Sequence, residues 1–233
     1  MKQYNKKNGF SLIEIIVVTG VVSLAFMAIL SLVKRTIMIY YSSQNYLMAS
    51  IIAQDGLELT RYVRDQNWLV AQPSFSTNLS QYRQADAKTI IAIDHQLTAD
   101  DPLTDGLEGR TKIKQLYNSQ EKDKVSDCGS WFDNSGNMSQ YIKSPCAVIY
   151  TDTDANTNGY YVSQTVNGIL DTDSRYKKTI YSRLLEITYY DNGTAGNADD
   201  DYIYVSSMVY WRDRGSEKYF TLGAYLYDYS WKY

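Results

Sequence analysis

The chain has 233 residues, room for one domain of ordinary size with an appended anchor and not for two large domains. Apolar residues make up 44% and charged residues 21%, both near globular averages, which excludes wholesale disorder, collagen-like repeats and a disulfide scaffold. The single histidine, His95, excludes chemistry that needs two, and a net charge of −3 withholds the basic field that drives non-specific nucleic-acid binding. Nucleic acid is not an expected partner.

Residues 1–9, MKQYNKKNG, hold Lys2, Lys6 and Lys7 and no acid. They run into an apolar segment from Phe10 to Val33, which as a helix reaches about 36 Å, enough to cross a hydrocarbon core with some tilt. A cleavable secretory signal would place its small-residue site after the apolar stretch, whereas Gly9 stands before it. The lysine-rich leader predicts a single-pass orientation with the N-terminus in the cytoplasm and the C-terminal head outside, although Lys34 and Arg35 oppose that bias. Glu14 interrupts the apolar run, and a carboxylate inside a membrane costs about 2.5–3.5 kcal/mol. One reading places it at the cytoplasmic interface, where the helix dipole and headgroup water lower that cost.

A second reading comes from the combination of basic leader, Gly9, Phe10 and Glu14 at the head of one span, KKNG followed by FSLIEIIVV. This string resembles the class III signal of type IV prepilins and pseudopilins, over residues 1 to about 35. The resemblance implies a cut by prepilin peptidase between Gly9 and Phe10 and N-methylation of Phe10. It also implies assembly with other pilins through the N-terminal helix, on a pilus assembly platform, with Glu14 neutralising a neighbour's terminal amine. Pairing suits both groups, since an amine and a carboxylate buried singly in an apolar bundle each cost several kcal/mol, on the order given for unpaired buried ions. The family's usual proline near the twenty-second mature position is Ser31 here, which leaves Gly20 as the weak point of the span.

Past Arg35, Ile37, Tyr41, Met48, Ile52, Leu59 and Val63 recur at helical steps, so the helix is predicted to continue, with Gly56 softening it and Arg61 pairing with Asp65. Lys88 to Asp94 reads as a strand, whereas Lys112 to Lys124 alternates charge without an apolar face and reads as surface. Asn158 and Gly159 predict a tight hairpin between Ala147–Tyr150 and Tyr160–Gln164. Thr179–Tyr190, Tyr202–Trp211 and Lys218–Tyr227 alternate with a period of two and predict an antiparallel meander. In the second of these, Ile203, Val205, Val209 and Trp211 share one face against Tyr202, Tyr204, Met208 and Tyr210. Amphipathic rings suit half-buried strands, which accounts for 23 tyrosines.

The expected fold is α+β, a long N-terminal helix packed on an antiparallel sheet, which is also the pilin architecture. Its expected parts are a leader over 1–9, a transmembrane and filament-core helix over 10–33, its continuation over 34–70, and an extracytoplasmic β-rich head over 71–233.

Cys128 and Cys146, the only cysteines, fall in the part expected outside the cell, where a bridge contributes on the order of 3 kcal/mol. Two buried thiols are the alternative. Asp154, Asn156, Asn158 and Gly159 match the first half of an EF-hand loop and Asp152 adds another oxygen ligand, but Thr165, twelfth from Asp154, stands where that loop has its bidentate glutamate. Asp191, Asp199, Asp200 and Asp201 surround a second connection, and some pseudopilins hold calcium in a C-terminal loop. At both sites an ordinary solvated turn competes with calcium, and no other cofactor is expected. His95 beside Asp94 lacks a nucleophile motif, so the chain is not expected to be an enzyme. Arg175, Lys177, Lys178 and Arg183 form the one basic cluster and read as a solvated strand edge.

The leading expectation is a minor pilin or pseudopilin of the cytoplasmic membrane that passes into a cell-surface or periplasmic filament. Loss of the three leader lysines leaves 20 basic against 26 acidic residues, a net −6 that repels phosphate. The second is a surface-displayed adhesin on the same anchor, with exposed aromatics such as Trp131 against glycans or host proteins. The third is a single-pass membrane protein without a filament, which predicts no cut at Gly9. The motif does not distinguish a type IV pilus from a type II secretion or competence filament.

Overall fold

The computed structural model describes residues 11–69, 88–95, 111–118, 137–144, 147–152, 161–163, 176–190 and 202–227. The chain divides into two units between Asn45 and Tyr46. The first described element, helix α1, is continuous over Leu12–Leu69. In the first unit its side chains from Leu12 to Ile37 are exposed. Ile37 and Tyr41 are 50% and 56% exposed, so the expected core stripe is not buried there.

In the second unit the buried helical positions are Ala49, Ile52, Ala53, Gly56, Leu57, Leu59 and Thr60, a stripe with three- and four-residue steps. Four of its members are small, which lets the helix backbone approach the sheet. Gly56 is a close-approach point: a Cβ there would lie 3.0 Å from Ser207 Oγ and 3.2 Å from Arg183 Cδ. The expected softening is absent, since the helix runs through Gly56 unbroken. Asp65 pairs with the adjacent Arg64, Nε to Oδ1 at 2.8 Å, rather than with Arg61 one turn back.

The sheet is built on a 15-residue central strand. In chain order the described strands are β1 (Lys88–His95), β2 (Thr111–Asn118), β3 (Val148–Asp152), β4 (Tyr161–Ser163), β5 (Tyr176–Tyr190), β6 (Tyr202–Asp213) and β7 (Ser216–Tyr227), with a single-turn helix α2 (Met138–Tyr141) before β3. All their pairings are antiparallel. One edge of β5 pairs with β6 from Tyr181 opposite Trp211 to Tyr190 opposite Tyr202. Its other edge is shared: β1 takes Leu185 to Thr188, and β3 takes Tyr176 to Ser182. At the bulge in the β3–β5 pairing, the Thr179 hydroxyl donates to Ile149 O at 2.7 Å and accepts from Tyr181 N, so the break in the ladder leaves these groups satisfied.

The meander β5–β6–β7 is present with its expected faces. Ile203, Val205, Val209 and Trp211 are buried, while Tyr202, Tyr204 and Met208 are half-buried on the other side. Two predictions are corrected. Residues 111–118 form strand β2, which among the described residues pairs only with β1, rather than irregular surface. The β3–β4 hairpin exists, with Thr151 opposite Tyr161, while the expected turn at Asn158–Gly159 lies outside the described residues. Arg183 lies on the central strand and is 2% exposed, so it is not part of a solvated basic edge, although Lys177 and Lys178 are exposed.

Both sheet faces carry core. Against α1 lie Ile91, Leu185, Ile187, Ile203, Val205 and Leu226 around Leu57 and Leu59, then Ile149, Tyr181, Val209 and Trp211 around Ala49, Ile52 and Ala53. On the opposite face, α2 lays Met138 and Tyr141 with Ile142 over Ile90, Ala92, Leu184 and Tyr210. The Asn137 side chain caps α2 by accepting from Ser139 N at 3.1 Å.

Candidate functional site

The first candidate is the exposed apolar part of α1. Its best 18-residue window has a mean hydropathy of 2.6 and is not buried against any other part of the chain. From Leu12 to Val33 the helix rises about 33 Å, which matches a bilayer core. The hydroxyls inside it fold back on the helix: Thr19 donates to Ile15 O at 2.9 Å and Ser23 to Thr19 O at 2.8 Å. Between Leu12 and Val33, Glu14 is the one charged residue. It sits exposed in the first turn, where Glu14 N donates to Ser11 O at 3.0 Å. A carboxylate there faces the positive end of the helix dipole and is available to a cation brought alongside. Among the described residues, one helix is long and apolar enough to cross a membrane.

The second candidate lies on the sheet face away from α1. Register brings Tyr190, Tyr202 and Tyr227 side by side, with Tyr204 and Tyr225 in a neighbouring row. Tyr190 and Tyr202 stack with centroids 5.0 Å apart, Tyr202 meets Tyr225 at 5.6 Å, and Tyr204 meets Tyr225 at 5.0 Å. Tyr225 is 57% exposed and Tyr190 is 38% exposed. The Tyr204 ring fills the space over Gly223, so close that any Cβ there would displace it. This group of phenols contains no charged side chain, and it presents ring edges, faces and hydroxyls to solvent.

Toward the other end of that face the chemistry is ionic. Lys143 Nζ donates to Glu217 Oε2 at 2.7 Å, and the Tyr219 hydroxyl donates to the same oxygen at 3.1 Å. The bond from Lys143 holds the Glu217 carboxyl below its ordinary range, and the same bond raises Lys143. Burial pushes the Tyr219 phenol up. A cleft of about 440 Å³ beside this cluster is lined by Lys143, Lys178, Arg212, Ser182 and Tyr210 among others. Its cations are already engaged: Lys143 and Arg212 face Glu217, and Lys178 is also partnered. The cleft therefore offers no ready charge to a ligand.

Of the residues singled out by sequence, Glu14 is on the helix as expected, and Asp152 ends β3 opposite Tyr176. Gly9, Phe10, Cys128, Cys146, Asp154, Asn156, Asn158, Asp191, Asp199, Asp200 and Asp201 lie outside the described residues, as do Arg175 and Trp131. Among the described residues, no three His, Cys, Asp or Glu side chains converge to hold a metal. Sequence reasoning missed the tie between helix and sheet. Arg183 Nη1 donates to Asp55 Oδ2 at 2.5 Å and to Ile52 O at 3.1 Å, with the guanidinium only 1% exposed. The signal available in sequence was an acid on the buried flank of a helix and an arginine among strand residues.

These features define a class: an α+β protein with a long apolar N-terminal helix and an antiparallel sheet, a pilin-like architecture with one helix able to anchor in a membrane. No protein-family model, curated protein or solved structure matches the chain.

Proposed function

We propose that the chain is a structural subunit, a minor pilin or pseudopilin, of a type IV pilus-like filament. The observation that carries this reading is Glu14, a lone exposed carboxylate in the first turn of an apolar helix that is unburied by its own chain. In this reading prepilin peptidase cuts after Gly9, Phe10 is N-methylated, and the protein waits in the cytoplasmic membrane with its head outside. Helix packing against other pilins then covers the apolar side chains and brings the new amine to a neighbour's Glu14. An assembly platform supplies the machinery, and the chain itself has no catalytic role.

Intact-mass analysis of the protein from its own host's membranes tests this. Loss of residues 1–9 with a gain of about 14 Da on Phe10, both dependent on the peptidase, is the expected outcome. An uncut and unmethylated chain in both backgrounds would leave a membrane-tethered β domain and defeat the filament reading.

A second reading, a surface-displayed adhesin on the same anchor, draws on the tyrosine face. Among the described residues five buried tyrosines serve the core, Tyr141, Tyr150, Tyr181, Tyr189 and Tyr210, but Tyr190, Tyr202, Tyr204 and Tyr225 form an outward group that the core does not require. Such a neutral aromatic surface suits stacking on a glycan or a host protein.

A further inference from the structure

Strand β7 pairs with β6 and, among the described residues, with no other strand. It is 12 residues long, and from Tyr219 to Tyr227 its sequence YFTLGAYLY contains neither a charge nor a proline. The edge strand β2, on the far side of the sheet, carries Lys112 and Lys114 in its sequence. Strand β7 is apolar on both faces as well, with Phe220, Leu222 and Ala224 only half-buried on the α1 side and Tyr225 exposed on the other. A long, uncharged edge of this kind is a template for another strand.

The turn before β7 fixes which backbone groups face outward. Arg214 and Gly215 have φ of 51° and 81°, a two-residue turn that makes Asp213 and Ser216 its closing hydrogen-bonded pair. Hydrogen-bonded and non-bonded pairs then alternate along the ladder, so Lys218, Phe220, Leu222, Ala224 and Leu226 bond to β6. The N–H and C=O groups of Tyr219, Thr221, Gly223 and Tyr225 point to the open edge.

We propose that this edge pairs with the same edge of a second copy of the chain, antiparallel and centred on Gly223. About that centre the strand complements itself. Thr221 lies opposite Tyr225 and Tyr219 opposite Tyr227, all with outward backbone groups, while Leu222 meets Ala224 and Phe220 meets Leu226. Centred on Gly223, the whole uncharged run from Tyr219 to Tyr227 pairs with itself, whereas a centre at Thr221 would set Lys218 against Ala224 and one at Tyr225 would pair only Gly223 to Tyr227 within the strand. The strand whose chemistry fits this uncharged edge is thus β7 itself. This inference does not rest on the filament reading and holds for a membrane-tethered dimer or for contacts between filaments.

The test uses the full chain in its membrane, carrying Thr221→Cys and Tyr225→Cys together. In the Gly223 register these positions of two copies form a hydrogen-bonded pair with Cα atoms about 5.5 Å apart, within disulfide reach, whereas on one strand they are too far apart to join. Mild oxidation is expected to give several-fold more cross-linked dimer than either single variant or the unaltered chain, whose Cys128 and Cys146 set the background. Thr221→Pro removes only an outward N–H, so it should abolish the dimer in detergent without moving the unfolding midpoint. Leu222→Pro removes a bond to β6 and should lower that midpoint. No excess of dimer in the double variant, cross-linking to a different protein instead, or a dimer that survives Thr221→Pro would each overturn the proposal.

Discussion

Arginine stays protonated across the accessible pH range, so a guanidinium that is 1% exposed has to be neutralised where it lies. Asp55 and the Ile52 carbonyl do this from the helix, and they join α1 to the central strand at one point. Removing the acid alone leaves the cation buried. Asp55→Ala is therefore expected to destabilise the second unit by about 3 kcal/mol, at the low end for a broken buried pair because the Asp55 side chain is 27% exposed and water can approach it. Replacing both partners with apolar residues should recover most of the loss. Urea unfolding of the detergent-solubilised full chain measures both, and equal stability of Asp55→Ala and the unaltered protein would refute the role assigned to the pair. Neither this pair nor Gly56 was legible beforehand, because a glycine or an acid in a helix declares itself only when the element across from it is known. Seen alone, Gly56 suggested weakness; the contacts of 3.0 Å and 3.2 Å that a Cβ would make show that it is there for close packing.

At the scale of elements, legibility followed the number of faces that solvent sees. Strand β6 is buried on one face and half-open on the other, so its alternation of Ile203, Val205 and Val209 with Tyr202 and Tyr204 could be read directly. Strand β5 is buried on both faces from Tyr181 to Leu185, which blurs the period in its middle and hides that it is central. Strand β2 was hidden for the opposite reason, since Lys112 and Lys114 interrupt any apolar run in the sequence and make the segment look like a loop. The helical span and Glu14 were legible, as apolar length and a misplaced charge are properties of the chain itself; the outward grouping of tyrosines was not, as it depends on register across three strands. The β6–β7 turn offers an element-scale test. Gly215 sits at φ 81° with open space around it, so Gly215→Ala adds backbone strain without a clash and should cost about 1 kcal/mol. An unchanged urea midpoint would show that the turn is not held in this conformation.

For the whole molecule the two units make separate demands. The apolar unit has to be covered by lipid or by other helices, and a carboxylate is costly inside lipid. Under the filament reading, Glu14→Gln keeps the length and hydrogen-bonding capacity of the side chain but loses its charge. It should leave membrane insertion and peptidase processing intact while reducing incorporation into filaments at least tenfold, as counted by immunoblot of sheared filaments against membranes. Normal incorporation would remove Glu14 from any assembly role. The sheet unit has a different difficulty, which lies in time. Arg183 and Ile52 are separated by 131 positions, and strand β5 does not begin until Tyr176. As the chain emerges from the ribosome, the small-residue stripe of α1 is made early and its binding partner late. Contacts so distant in sequence slow folding, and the loop-closure entropy falls due before any of them forms. The head therefore completes itself only after most of the chain is synthesised, and until then an uncovered helical face has to be shielded from aggregation.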